Sequence, residues 1–222
     1  MAKALLEKHA RAIELRTRGW SYPAIKKALN VSKGSLSLWL HKYPLTEKQI
    51  RKLSPLSRER RIEHFRETFR KKREGVLVEA YNIEQVRIGE LNKREIYLMG
   101  LMLYWGEGMK ATRGTISFAN TNPAMIRMAK YWLISCMGIV EAKLRVKLHL
   151  YSDMNIEAEI QYWVKEIGIP RTQFKKPYIK ESKYGNLTQK GFGHGTCDLG
   201  TCDTKKKDLI IMALKVVSEY FS

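Results

Sequence analysis

Apolar residues recur at helical spacing through the first 43 residues of the chain. From Ala4 to Arg18 the apolar positions lie three or four residues apart and a glycine follows, so this stretch predicts a helix. Ser21 and Ser32 are good N-cap residues for two more short helices, each with its apolar residues on one face. Asn30 and Val31 predict the turn between them. Residues 1–43 are therefore predicted to form three short helices.

The middle of the chain predicts a long and highly charged helix. Thr46 to Leu53 predicts a short helix, and Ser57 can cap a longer one that runs to about Arg87. A narrow apolar stripe follows this long helix, so it is expected to pack against something; the stripe comprises Ile62, Phe65 and Phe69. Two interpretations stay open: a solvated linker helix, and a helix that lies along nucleic-acid phosphates.

The part from residue 93 onward mixes helical and strand patterns. Lys93 to Glu107 is the most apolar helix candidate, and Lys143 to Tyr151 alternates strictly between apolar and polar residues, which predicts a half-buried strand with one basic face. The other predicted elements are strands at Thr115–Phe118, Gln173–Ile179 and Thr196–Cys202 and helices at Pro123–Met137, Glu157–Ile167 and Lys205–Phe221. The predicted fold class is α+β, with a helical segment at 1–43, a basic helical linker at 44–92 and a mixed domain at 93–222.

The charge of the chain indicates a polyanionic partner. The sequence has 41 Lys and Arg against 22 Asp and Glu, a formal net charge of +19, and all three segments are net positive. Nucleic acid is the leading candidate, although a ribosome-bound or membrane-surface protein carries a similar charge. The longest uncharged apolar run, Ile96–Gly106, is shorter than the ~18–20 residues of a membrane span. With three cysteines and no secretory signal, we expect a soluble cytoplasmic protein, nucleoid-associated in a bacterium or archaeon.

The sequence AIELRTRGWSYPAIKKALNVSKGSLSLWL, within the first 43 residues, resembles the helix-turn-helix units of resolvases, transposases and small repressors. In those units the third helix enters the major groove of DNA with its N-terminal side chains on base edges. The resemblance implies that DNA-facing side chains lie at Ser32, Lys33, Ser35 and Ser37, with Lys26 and Lys27 near phosphates. The alternative is a three-helix packing module without DNA contacts.

A second motif, YLMGLMLYWGEG at residues 97–108, resembles a divergent LAGLIDADG helix of the homing endonucleases, and the resemblance covers about residues 95–221. TNPAMI and the stretch from KKPYI to YGN resemble later features of that family. The resemblance implies an αββαββα domain that dimerises through its first helix, 93–108, and lays its sheet in the DNA major groove. It also implies that Glu107 is the acidic residue that binds Mg²⁺ at the dimer seam, with Gly106 as the small residue before it. Because the motif occurs once, a complete active site needs a homodimer.

The basic face of the predicted strand at 143–151 supplies the other candidate site residues. Its DNA-facing side chains are predicted to be Lys143, Arg145, Lys147, His149 and Tyr151, joined by Lys175 and Lys176 of the following segment. Lys147 and His149 are also candidates for polarising a phosphate or orienting water, although a single strand histidine is more often structural. No zinc site is expected at Cys197 and Cys202, because their spacing is not that of the usual paired ligands and no second pair exists.

The leading functional prediction is sequence-specific binding of double-stranded DNA with Mg²⁺-dependent cleavage of a phosphodiester bond. The alternative is a catalytically inactive regulator or mobile-element accessory protein derived from such an endonuclease. A third and weaker interpretation is an RNA-binding protein. One candidate acid per chain keeps the inactive interpretation open.

Overall fold

The chain folds into two compact units, Met1–Gly89 and Glu90–Ser222. The computed structural model describes residues 2–53, 58–181 and 193–221. The first unit contains the 1–43 segment together with most of the 44–92 segment, and the second unit begins close to residue 93. Ser57, the predicted cap of the long helix, and the YGN residues at 184–186 lie outside the described residues.

The first unit is helical in its described part. Its helices are α1 (Ala2–Thr17), α2 (Tyr22–Leu29), α3 (Lys33–Leu40), α4 (Glu47–Lys52) and α5 (Arg58–Ile88). Ser21 and Ser32 cap α2 and α3 as predicted, since each side-chain oxygen accepts a hydrogen bond from a backbone N–H one turn on. Asn30 adopts the left-handed conformation, with φ of 47°, that reverses the chain between these helices. The buried residues of α1, α2 and α3 form one cluster: Ala12, Leu15, Tyr22, Ile25, Leu36 and Leu40.

The second unit is a four-stranded mixed sheet with helices. Its elements are α6 (Lys93–Glu107), β1 (Thr115–Asn120), α7 (Pro123–Ser135), β2 (Arg145–Tyr151), α8 (Ile156–Ile167), β3 (Tyr178–Lys180), β4 (Thr196–Cys202) and α9 (Thr204–Glu219). The strand order is β1-β4-β2-β3. Strand β4 is antiparallel to both of its neighbours, whereas the short β3 is parallel to β2. The chain as a whole is therefore of mixed α+β class, as predicted.

The order of elements in the second unit differs from αββαββα in its described part. Between α6 and α7 the strand pair is reduced to β1 and an isolated antiparallel bridge that joins Gly108 to Phe118. Along the chain, helix α8 and the short β3 come between β2 and β4, although these two strands are neighbours in the sheet.

The predicted strand at Gln173–Ile179 is wrong over most of its length. Residues Arg171–Gln173 form a 3₁₀ turn instead, and regular pairing starts only at Tyr178. Pro170 and Pro177 explain this, because a proline has no N–H for a strand ladder and fixes its own φ. Only an isolated bridge between Phe174 and Val146 remains of the expected pairing before Pro177.

The helices of the second unit cover one face of its sheet, and α6 packs closely on α7. Gly100 allows this contact, because a β-carbon at that position would lie 2.0 Å from Cδ1 of Trp132. The Trp132 ring is fully buried, and its Nε1 donates a hydrogen bond of 3.0 Å to the Tyr97 carbonyl. None of the described helices is both long enough and apolar enough to span a bilayer.

Candidate nucleic-acid interface

Strand β2 presents a basic face on the side of the sheet away from the core, as its alternation predicts. Val146, Leu148 and Leu150 are buried in the core, whereas Arg145 and Lys147 are exposed. This happens because successive side chains of a strand point to opposite faces of the sheet. The face without the core cluster is therefore cationic along β2.

A groove of about 480 Å³ lies on this open face. Its cationic lining consists of Lys143, Arg145, Lys147 and Lys175. Among the described residues that line it, the single carboxylate is Asp198 of β4, which is the register partner of Lys147. Tyr151 and Lys176 lie outside this lining. The groove thus carries a clear excess of positive charge.

His149 sits on the same face and is held as a neutral imidazole at neutral pH. Burial lowers its pKa below the ordinary value, and the nearby Lys180 and Lys147 charges act in the same direction, against the opposing effect of Asp198. The ring of Tyr178 contacts both neighbours: its centroid is 5.6 Å from that of His149 and 5.7 Å from the Lys147 ammonium. A neutral imidazole can accept a proton from water, and the imidazolium that forms can pass that proton to a phosphate oxygen.

Glu107 is exposed at the end of α6 and lines a different groove of about 390 Å³. That groove also receives Lys110, Ser117 and Asp198. Asp198 is therefore common to the linings of both grooves, whereas Glu107 is not part of the lining that holds Lys147. Asp198 is not among the site residues predicted from the sequence, and the signal for its position is the alternation of β4.

Carboxylate oxygens are the donors that Mg²⁺ prefers, so Glu107 and Asp198 fit that ion chemically. Among residues 2–53, 58–181 and 193–221, however, no group of three or more His, Cys, Asp or Glu side chains is arranged to hold a metal. Mg²⁺ needs near-octahedral coordination, which water and substrate oxygens usually help to complete. Two carboxylates do not complete such a coordination by themselves.

The turn after Glu107 is fixed by a buried lysine that the sequence analysis missed. Lys207 of α9 is 3% exposed, and its ammonium donates hydrogen bonds to the Tyr104 hydroxyl, at 2.5 Å, and to the Met109 carbonyl. The Tyr104 hydroxyl also donates to the Met109 carbonyl. Burial raises the pKa of Tyr104 to about 12 and lowers that of Lys207, so burial favours the neutral form of each side chain. The available sequence signal was the spacing of Lys207 with Ile210 and Leu214, which places it on the buried side of α9.

Gly108 is required in this turn because of close packing. A β-carbon there would lie 2.5 Å from both Cδ2 and the carbonyl oxygen of Tyr104. The next residue, Met109, donates its backbone N–H to the Ser117 carbonyl at 3.0 Å. The position of Glu107 is thus set by contacts with α6 itself, α9 and β1.

The candidate DNA-contacting residues of the first unit are mostly exposed. Lys26 and Lys27 are exposed on α2, and Ser32, Lys33 and Ser37 are exposed at and along α3. Ser32 and Ser35 hydrogen-bond each other, with Oγ atoms 2.8 Å apart, and the Ser32 oxygen also caps α3. Lys33 and Ser37 are one helical turn apart on the same side of α3.

The cysteine cluster considered for zinc is dispersed. Cys197 is buried and Cys202 is exposed, and residues five positions apart on a strand point to opposite faces. Burial raises the pKa of the Cys197 thiol far above its ordinary value, which disfavours the thiolate that zinc needs. His194, which lies just before β4, pairs through Nδ1 with Glu159 Oε2 at 2.7 Å.

Comparison with known proteins does not extend the resemblance seen in the motif. No protein-family model, no curated protein and no solved structure matches this chain. The geometry and charge of the two units are therefore the guides to function.

Proposed function

We propose that this protein binds double-stranded DNA and cleaves it in a Mg²⁺-dependent reaction. The observation that supports binding is the groove on the open sheet face. Among the described residues its lining has one carboxylate, Asp198, and four cations: Lys143, Arg145, Lys147 and Lys175. Clustered cations of this kind release counterions from DNA on binding, which supplies most of the non-specific affinity.

Each unit has its own part in the proposed binding. Helix α3 of the first unit enters the major groove and contacts base edges through Lys33 and Ser37, while Lys26 and Lys27 contact phosphates. The cationic strand face of the second unit lies along the duplex, since a major groove also admits a two-stranded β-ribbon. Arg145 and Lys147 then serve both as phosphate contacts and as donors to guanine.

The proposed active form is a homodimer through the 93–108 helix. An apolar stripe on α6 is 37–45% exposed in the single chain and consists of Leu98, Met99, Met102 and Trp105. Gly106 continues this side of the helix, and no atom lies within 4 Å of a β-carbon built there, so a second helix has room to approach. Burying the stripe removes apolar surface from water and brings a second Glu107 to the seam.

The residues of this chain divide the proposed chemistry among them. Glu107 from each protomer and Asp198 would hold the cation, and a Mg²⁺ ion held there would supply Lewis-acid polarisation of the phosphate and a lower pKa for bound water. Lys147 neutralises charge on the phosphate oxygens, and the neutral ring of His149 accepts a proton from attacking water. Lys207 and Tyr104 keep the turn after Glu107 in place.

A second candidate function, a DNA-binding regulator without catalysis, is favoured by the small number of acids. No metal-capable group of three side chains occurs in the described part of one chain. In this alternative the two DNA-binding surfaces keep their roles, and Glu107 is a solvent-exposed helix end.

Replacement of Glu107 by Gln separates these functions. We expect Glu107→Gln to lower Mg²⁺-dependent cleavage of a randomised duplex library by at least about 100-fold, because a neutral amide replaces one of the few carboxylates that would hold the cation. Affinity for DNA should stay constant or rise slightly, because one negative charge leaves a phosphate-facing surface. Glu219→Gln, at the exposed end of α9, is the matched control with the same change in charge.

The outcomes are distinct. Wild-type binding without cleavage supports the regulator. Cleavage that survives Glu107→Gln removes Glu107 from the mechanism. A wild-type protein that does not bind duplex DNA contradicts both candidate functions.

A further inference from the structure

Helix α5 is fixed to the three N-terminal helices by a buried ion pair. Arg16 Nη2 of α1 lies 2.7 Å from Glu63 Oε2 of α5, and these side chains are 2% and 4% exposed. Arg16 also donates from Nε to the Tyr43 carbonyl and from Nη1 to the Trp20 carbonyl, both at 3.0 Å. Breaking a buried pair by removing one partner is strongly unfavourable, so the first turns of α5 keep a defined position in this unit.

A tyrosine ring joins α5 to α2 in the same region. The guanidinium carbons of Arg16 and Arg66 lie 4.6 and 4.0 Å from the centroid of the Tyr22 ring. Arg66 also donates to Glu63 Oε1 at 2.7 Å. Both acidic oxygens of Glu63 are therefore neutralised within the unit, and α5 around residues 63–66 is not a free linker.

This arrangement creates a groove of about 430 Å³ beside the start of α3. Its charged lining comes from Lys26 of α2, Lys33 of α3 and Arg58, Glu59, Glu63 and Arg66 of α5. Glu63 and Arg66 pair with each other, so the charges left to face a ligand are three cations against Glu59. The side chains of Leu36, Ile62 and Tyr22 provide the less polar part of the lining.

Two of these three cations are residues that the proposed function already places on DNA. Lys33 begins α3 and Lys26 lies in the last turn of α2. Arg58 adds a guanidinium from a different helix to the same groove, and a guanidinium matches phosphate oxygens with two parallel hydrogen bonds. The charge complementarity of the groove thus favours one phosphodiester group of a bound duplex as its occupant.

We propose that the first turn of α5 is part of the DNA-binding surface and that Arg58 binds a backbone phosphate between Lys26 and Lys33. This inference rests on the proposed function, because it assigns a further contact to the same duplex. In this arrangement α5 is not only a linker: its Arg58 contact helps to fix the position of α3 on the DNA backbone. Phosphate contacts of this kind set register and orientation, whereas base contacts set sequence preference.

The test is the salt dependence of binding by the full-length chain, measured by fluorescence anisotropy with one duplex of fixed sequence. The slope of log Kobs against log salt becomes shallower by about 0.9 for each phosphate that the protein no longer neutralises. We expect this change for Arg58→Gln and for Lys33→Gln, with weaker binding at low salt. Arg58→Lys should restore most of the wild-type slope, since the positive charge remains.

Arg73→Gln is the matched control. Arg73 is exposed on the same helix fifteen positions further on, about 22 Å away at 1.5 Å per residue, and it does not line the groove. Its substitution should leave the slope at the wild-type value. Circular dichroism should show that all four variants keep the helical content of the wild type, because these side chains are exposed.

Three results overturn the inference. A wild-type slope for Arg58→Gln beside a shallower one for Lys33→Gln leaves α3 on DNA and removes α5 from it. Tighter binding by Arg58→Gln shows that α5 obstructs the duplex. Equal losses for Arg58→Gln and Arg73→Gln show a diffuse effect of helix charge rather than a phosphate site. Absence of duplex binding by the wild type, by comparison, contradicts the proposed function itself.

Discussion

The charge of the open sheet face depends on pH through the protonation of His149. In the free protein its pKa lies below the ordinary value near 6.5, mainly because of burial, so the ring is neutral at pH 7. A DNA phosphate placed on this face favours the imidazolium and raises the pKa again. Binding then takes up a proton at pH values between the free and the bound pKa.

We therefore predict that DNA affinity rises as the pH falls from about 7.5 to 5.5, the range that brackets an ordinary histidine pKa. Each pKa unit by which DNA raises the value for His149 strengthens binding about tenfold below the free pKa. His149→Gln should flatten this dependence, while His41→Gln, on the first unit, should leave the His149 contribution in place. An affinity that falls with decreasing pH, or a pH dependence that His149→Gln leaves unchanged, would place His149 away from the phosphates.

Residue-scale features differ in how far the sequence could predict them. The basic face of β2 was predictable because strict alternation settles which side chains share a face. The Arg16–Glu63 pair and the Lys207 contacts were not, because their partners are 47 and 98 or more positions apart and only the fold brings them together. Glu63 lies four residues from both Glu59 and Glu67, a spacing at which carboxylates on a helix repel one another, and its ion pair with the buried Arg16 offsets that repulsion.

At the scale of elements, the contact between α6 and α7 depends on one glycine. Its missing side chain leaves space that the Trp132 ring fills, with Cδ1 2.0 Å from where a β-carbon would stand. Alanine favours a helix interior by about 1 kcal/mol over glycine, so intrinsic propensity alone predicts that Gly100→Ala is stabilising. The overlap with the Trp132 ring makes the substitution destabilising instead, since overpacking a core costs about 1–3 kcal/mol. The ring is rigid and fully buried, so it cannot move aside as the end of a flexible side chain would.

We predict that Gly100→Ala lowers the melting temperature of the second unit by about 2–8 °C. Gly106→Ala is the matched control on the same helix, where no atom lies within 4 Å of the added carbon, and it should leave the melting temperature unchanged or slightly higher. Thermal unfolding followed by circular dichroism at low protein concentration measures both, so that association through α6 does not contribute. Equal melting temperatures for Gly100→Ala and Gly106→Ala would contradict the close packing of α6 on α7.

Elements with a regular pattern were predicted closely, and those interrupted by proline were not. Helix α6 has the predicted bounds of Lys93 and Glu107, because an apolar run between a capping asparagine and a glycine leaves little freedom. Strand β4 also has its predicted bounds. The segment before Tyr178 has β-favouring and basic residues but also Pro170 and Pro177, and the missing N–H groups decided its structure.

At the scale of the whole molecule, each hydrophobic core lies within one unit. The buried cluster of the first unit runs from Ala12 to Leu40, and that of the second runs from Leu101 to Leu214. The two units divide at Gly89, just after the charged helix α5 ends at Ile88 and shortly before the apolar α6 begins at Lys93. The buried ion pair between Arg16 of α1 and Glu63 of α5 could not be predicted from composition, because charged residues are normally expected to face solvent.

Because neither cluster needs side chains from the other unit, we predict that residues 90–222 fold without residues 1–89. A domain with its own core unfolds as a cooperative unit, so calorimetry of the intact chain should show two transitions. The isolated 90–222 fragment should reproduce one of them, with a sigmoidal melt and the near-ultraviolet spectrum of buried Trp132 and Trp163. Its DNA binding should persist through the cationic groove on the sheet, but with a shallower salt dependence, because Lys26, Lys33 and Arg58 have been removed. A fragment without a cooperative melt, together with a single transition in the intact chain, would show that the second core depends on the first unit for its stability.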